Sequence, residues 1–104
     1  MSSGTVGGRY VAVPHAVYAG LQSGEGVIVD AQTALYFGLN KTAAFLWQSL
    51  KERGDATPED LVQALVARFE VGPDDARRDV DAFLTHAVSL GLAAHRPAPA
   101  SSAA

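Results

Sequence analysis

Residues 34–47 read "ALYFGLNKTAAFLW", and where this stretch is divided decides the fold. Its first six residues have the aromatic and aliphatic content of a β-strand. Leu35 and Phe37 would then share one face, and Ala34, Tyr36 and Gly38 the other. From Lys41 the spacing changes: Ala43, Leu46, Trp47 and Leu50 recur at helical intervals. Asn40, between the two, supplies a side-chain acceptor for the free amides of a first helical turn. Both faces of the strand are apolar, although a core occupies only one.

Outward from this junction, the N-terminal half reads as strands. "RYVAVPHAVYAGL" (9–21) is interrupted by Pro14, which makes it an edge strand, a bent strand or two short pieces. "QSGEG" (22–26) is a turn cluster, "VIVD" (27–30) a short strand and "AQT" (31–33) a tight connection into Ala34–Leu39. This order predicts an antiparallel meander. The C-terminal half reads as three helices. Gly54 ends the first. Thr57 and Pro58 open the second, whose apolar side is Leu61, Val62, Leu65, Val66 and Phe69. Pro73, Asp74 and Asp75 open the third, with Ala76, Val80, Phe83, Leu84, Ala87 and Val88 as its stripe. Gly91 followed by Leu92 fits a left-handed C-cap. The predicted fold is α+β: a three-stranded antiparallel sheet followed by three helices, the layout of a winged helix-turn-helix.

The chain has 104 residues, 48% hydrophobic and 18% charged, which suits one folded domain. Residues 9–95 are expected to form it, with a flexible arm at 1–8 and a disordered, Pro/Ala/Ser-rich tail at 96–104. Absence of cysteine excludes disulfides, thiolate metal sites and cysteine nucleophiles. The start "MSSGTVGG" lacks the basic and apolar regions of a signal peptide, and no apolar run is long enough to span a membrane. A cytoplasmic location is the expectation.

Catalytic chemistry finds little support. His15, His86 and His95 stand far apart without acidic partners at metal-ligand spacing. Asp74, Asp75, Asp79 and Asp81 read as helix-start charges and exposed positions, with Asp75/Arg78 and Arg77/Asp81 at ion-pair spacing. "GEG" (24–26) lies between two strands and not before a helix, so it is a hairpin turn and not a phosphate loop. No enzyme activity, metal or cofactor is expected. DNA binding, the usual use of the layout, conflicts with charge. The net charge is −3, and the third helix sets its four aspartates against only Arg77 and Arg78. No nucleic-acid or membrane partner is expected.

Peptide binding is the reading that remains. In a meander of order 1-2-3 the third strand is an edge, and Ala34–Leu39 contains no Lys, Pro or charge to block a further strand. A peptide can add there, with side-chain pockets beside it. A second copy of the chain can pair through the same edge.

The order of these features resembles the PqqD-like family, recognition elements for ribosomally made, post-translationally modified peptides (RiPPs). The resemblance spans about residues 9–93. It rests on a hydrophobic strand closed by Asp30, an aromatic third strand with Tyr36 and Phe37, "LN" (39–40) leading into a helix with Trp47, and a last helix ending in "LGL" (90–92). It implies a protein that binds the leader of a precursor peptide as a strand added to the third strand, against the third helix. "YFGLN" followed by Trp47 is most similar to the stand-alone leader-binding proteins of lasso-peptide biosynthesis, which work with a separate leader peptidase or modifying enzyme. A peptide chaperone of pyrroloquinoline quinone biosynthesis and a winged-helix DNA-binding regulator are the alternatives. Carried onto this chain, the resemblance implies that Ala34, Leu35, Tyr36, Phe37, Gly38 and Leu39 pair with the leader. Val80, Phe83, Leu84 and Ala87 would wall its pockets, and Arg78 and Asp79 would meet its charges.

Overall fold

The computed structural model describes residues 8–96. Five strands and three helices follow one another as β1 (Arg9–Ala12), β2 (Ala16–Gly20), β3 (Gly26–Asp30), β4 (Tyr36–Leu39), α1 (Lys41–Arg53), α2 (Pro58–Arg68), α3 (Pro73–Ser89) and β5 (Ala93–Arg96). The expected three-stranded antiparallel sheet is present, in the order β2-β3-β4, followed by the three helices.

Pro14 divides the predicted first strand into two pieces that enter different sheets. Its first piece, β1, pairs antiparallel with β5 in a separate two-stranded sheet. Tyr10 also exchanges backbone hydrogen bonds with Ala56, at 2.7 and 3.0 Å, so β1 is held on both sides. β5 was not expected. It carries the fold to Arg96, one residue into the predicted tail, and residues 97–104 lie outside the described part. At the other end Gly8, assigned to the arm, is buried, and a Cβ there would collide with the His95 ring. The rest of the arm lies outside the described residues.

The helix ends follow their sequence signals. Asn40 accepts from the Ala43 amide at 2.8 Å. Thr57 and Asp60 form a reciprocal capping box, each side chain accepting from the other's backbone N–H at 3.1 Å. After α3, Gly91 takes a φ of 76°, the Gly91 amide donates to Val88 and the Leu92 amide to Ala87. This pair of bonds is a Schellman ending.

The helices enclose the larger core: Leu46 and Leu50 of α1, Leu61, Val62 and Leu65 of α2, and Ala76, Val80, Leu84 and Ala87 of α3. A smaller core joins the sheet to α1 through Ala16, Ile28, Trp47 and Leu92, with Phe37 and Leu39 packed against it. Val66 and Val88, predicted on apolar faces, are exposed.

Candidate functional site

The turn that leads into β4 is set by one buried carboxylate. Asp30 ends β3, and its Oδ1 accepts from the backbone of Gln32 at 2.8 Å and of Thr33 at 3.3 Å. The Nε2 of His15 lies 3.8 Å from the same oxygen. Ala34 then takes a φ of 63°, a left-handed conformation that a Cβ disfavours, and its amide donates to the Asp30 carbonyl. The chain reverses here, so β4 begins at Tyr36. Ala34 and Leu35, expected in the strand, belong to the turn.

β4 pairs with β3 in the register Val29↔Tyr36, Ile28↔Phe37, Val27↔Gly38, Gly26↔Leu39. The Asp30 amide donates to the Leu35 carbonyl at 2.9 Å, which fixes the phase of the ladder. In an antiparallel pair, hydrogen-bonded and non-bonded positions alternate. Phe37 and Leu39 therefore direct their backbone groups toward β3, while Tyr36 and Gly38 direct theirs to the open side. No strand covers that side among the described residues.

The side chains alternate as well. Phe37 and Leu39 turn in against Trp47 and Ile28. Tyr36 turns out and is 75% exposed. Its cross-strand neighbours are Val29 and then Val17, and Gly38 lies beside Val27 and then Ala19. The outer face of the meander strands is thus uncharged, with Val17 and Tyr36 among the most exposed large apolar side chains.

Next to the open edge lies a cavity of about 530 Å³. β4 supplies Phe37, Gly38 and Leu39, α1 contributes Thr42, Ala43 and Trp47, and α3 contributes Asp79, Ala82, Phe83, His86 and Ala87. Leu90 and Leu92, after α3, close one end. Its size and mostly apolar lining suit a ligand side chain or two.

Of the predicted residues, Phe37, Gly38, Leu39, Asp79, Phe83 and Ala87 meet at this cavity. Ala34, Leu35, Tyr36, Arg78, Val80 and Leu84 do not line it. Val80 and Leu84 are sealed in the helical core, one residue around the helix from the groove. Arg78 points elsewhere and pairs with Asp75 at 3.2 Å. Arg77 reaches Glu59 of α2 instead of the expected Asp81. The cavity stripe of α3 is Asp79, Ala82, Phe83, His86 and Leu90. Ala82, His86 and Leu90 were missed because a small residue, a histidine and a C-cap leucine do not read as a groove. Their i, i+3, i+4, i+7, i+11 spacing was the available signal.

Trp47 backs the cavity from beneath. It is fully buried, and its indole Nε1 is the buried side-chain polar atom without a hydrogen-bond partner among the described residues. Among those residues there is also no group of three His, Asp or Glu placed to hold a metal, and no helix long and apolar enough to cross a membrane.

Comparison with known proteins agrees with this fold. The family model of coenzyme PQQ synthesis protein D (PqqD) matches residues 25–93. A solved structure of TbiB1 in complex with the TbiA(beta) leader peptide is 30% identical, with a TM-score of 0.69, covering 80% of this chain and 93% of that one. A second, lasso peptide synthetase B1 complexed with the leader peptide, is 32% identical, with a TM-score of 0.68, covering 82% and 96%. No curated protein matches.

Proposed function

The chain belongs to the PqqD family, and from that premise we propose that it is a leader-peptide recognition protein of lasso-peptide maturation. It binds the leader of a ribosomal precursor as a strand added to β4, against α3, and delivers it to a separate leader peptidase or modifying enzyme. It performs no chemistry itself. The observation that carries this reading is the open β4 edge beside an apolar cavity, with the backbone groups of Tyr36 and Gly38 turned to the vacant side. Both similar solved structures are held with a leader peptide, and the second, a lasso peptide synthetase B1, supports the lasso branch over the quinone-cofactor branch.

Energies fit a reversible complex. About four edge hydrogen bonds at ~0.5–1.5 kcal/mol each, with two buried anchors at ~1.5–3 kcal/mol each, give ~5–12 kcal/mol gross. Ordering a flexible peptide removes ~2–5 kcal/mol. The uncharged outer face of the meander continues the bound edge, and it supports docking of the enzyme that receives the peptide. An empty edge pairs with a second copy of the chain, and leader competes with that pairing.

The test is a polarisation titration of fluorescein-labelled leader peptide, with labelled duplex DNA in parallel. Saturable micromolar or tighter leader binding is expected, and no DNA binding at physiological salt. Salt-sensitive DNA binding without leader binding overturns the reading.

A further inference from the structure

Within the peptide-binding reading, on which this inference rests, we infer that Asp79 makes the groove selective for a Lys or Arg of the bound peptide, placed beside its apolar anchor. The groove side of α3 is a straight stripe, with Asp79 at one end, Ala82 and Phe83 in the middle and His86 and Leu90 beyond. From 79 to 90 it runs about 16 Å at 1.5 Å per residue, the length of roughly five extended residues. A strand on β4 therefore passes both Phe83 and Asp79, and its residues near them meet opposite chemistry.

Asp79 is the cavity-lining residue that carries a fixed charge. The other polar groups of the lining are Asn40, Thr42 and His86, and the Asn40 oxygen is already engaged as the α1 cap. The nearby cations are committed elsewhere: Arg77 to Glu59 and Arg78 to Asp75. No ion pair or side-chain hydrogen bond engages Asp79 among the described residues. The other α3 acids have different surroundings. Asp74 and Asp75 occupy the first turn, where they complement the helix dipole, and Asp81 lies outside the cavity lining.

A bound peptide removes water from the Asp79 carboxylate. An apolar residue opposite it leaves that charge poorly solvated, and an acidic one repels it. A Lys or Arg compensates it, so the carboxylate rejects wrong peptides as well as favouring the right one. Phe83 reads the anchor and Asp79 reads the charge beside it.

The experiment uses the full chain and a synthetic fluorescein-labelled leader, together with peptides in which each Lys or Arg is changed singly to Gln or Glu. These are titrated against wild type, Asp79→Asn and Asp79→Lys, with far-UV circular dichroism to verify the fold of each exposed-site variant. One basic position is expected to lose about 3- to 10-fold in affinity on neutralisation. Asp79→Asn should cause a similar loss, the two losses should not multiply, and Asp79→Lys should regain affinity for the peptide carrying Glu at that position. Unchanged binding by Asp79→Lys, multiplying losses at every basic position, or tight binding of a leader without Lys or Arg overturns the inference while leaving peptide binding intact. Failure of wild type to bind the unaltered leader instead overturns the wider reading.

Discussion

Val80 and Phe83 stand three residues apart on α3, yet Val80 is sealed against α1 and α2 while Phe83 is half-buried at the cavity. The helix has two stripes side by side, one apolar and one mixed. Ala76, Val80, Leu84 and Ala87 are packed into the core, and Asp79, Ala82, Phe83, His86 and Leu90 face the groove, where Ala87 also reaches. The core stripe has its partners within the chain. Among the described residues the groove stripe is open, holds a carboxylate without a partner and lies beside a strand edge that no other strand covers. In the proposed complex one helix anchors the fold with one side and receives the leader with the other, so a substitution on either side should affect a different observable.

The largest separation is expected from Leu84→Ala. It removes a buried side chain and should cost about 2–5 kcal/mol in urea unfolding. Affinity for labelled leader, measured well below the unfolding transition, should change little. Phe83→Ala is the converse: about 10- to 150-fold weaker leader binding, from a lost apolar contact worth ~1.5–3 kcal/mol, with a smaller loss of stability. Equal losses of stability and affinity in both variants would erase the distinction between the stripes.

Gly38→Pro sharpens the comparison at the other wall of the groove. Gly38 directs its amide to the open side, and a Cβ there meets nothing within 4 Å. Proline should therefore spare the β3 ladder, remove one edge donor and weaken leader binding by about tenfold. Tyr36→Ala tests the outer face. Because Tyr36 points away from the groove, its side chain should matter less for leader affinity than Phe83, and more for capture by the partner enzyme in a pull-down with leader present.

The smallest effects concern the capping of α2, which supports only the core side. Thr57→Ala should cost about 1 kcal/mol of stability and leave affinity unchanged. The Thr57 backbone N–H holds the Asp60 carboxyl below the ordinary carboxylate range. Its folded pKa is depressed, so the stabilisation is present above that range and is lost as pH falls through the folded value. Asp60→Asn should flatten the acid side of the stability profile by a few tenths of a kcal/mol, since the side chain is partly exposed.

Much of this organisation was legible in the sequence, because local chemistry fixes it. Asn40, Thr57 with Pro58, and Gly91 with Leu92 mark helix ends through groups within a few residues of each other. The strand edge was legible for a similar reason, as a lack of blocking residues between positions 36 and 39. The angular phase of α3 was not. Val80, Phe83 and Leu84 are all large and apolar, and only their neighbours in space decide which of them is sealed. Ala34 carries no sequence mark of a positive φ, which the Asp30 turn imposes. β5, "AAHR", has weak strand propensity and exists through its pairing with β1.

The shortness of β4 has a kinetic consequence. Two outward-facing residues offer about four backbone hydrogen bonds, whatever the length of the peptide beyond them. A complex of micromolar affinity with an ordinary association rate of ~10⁶ M⁻¹s⁻¹ dissociates at about 1 s⁻¹. Such a dwell time is long against diffusion and brief against a catalytic cycle of seconds or more. If leader adds to this four-residue edge as proposed, the complex exchanges repeatedly, and a small pool of the protein serves a larger stream of peptides.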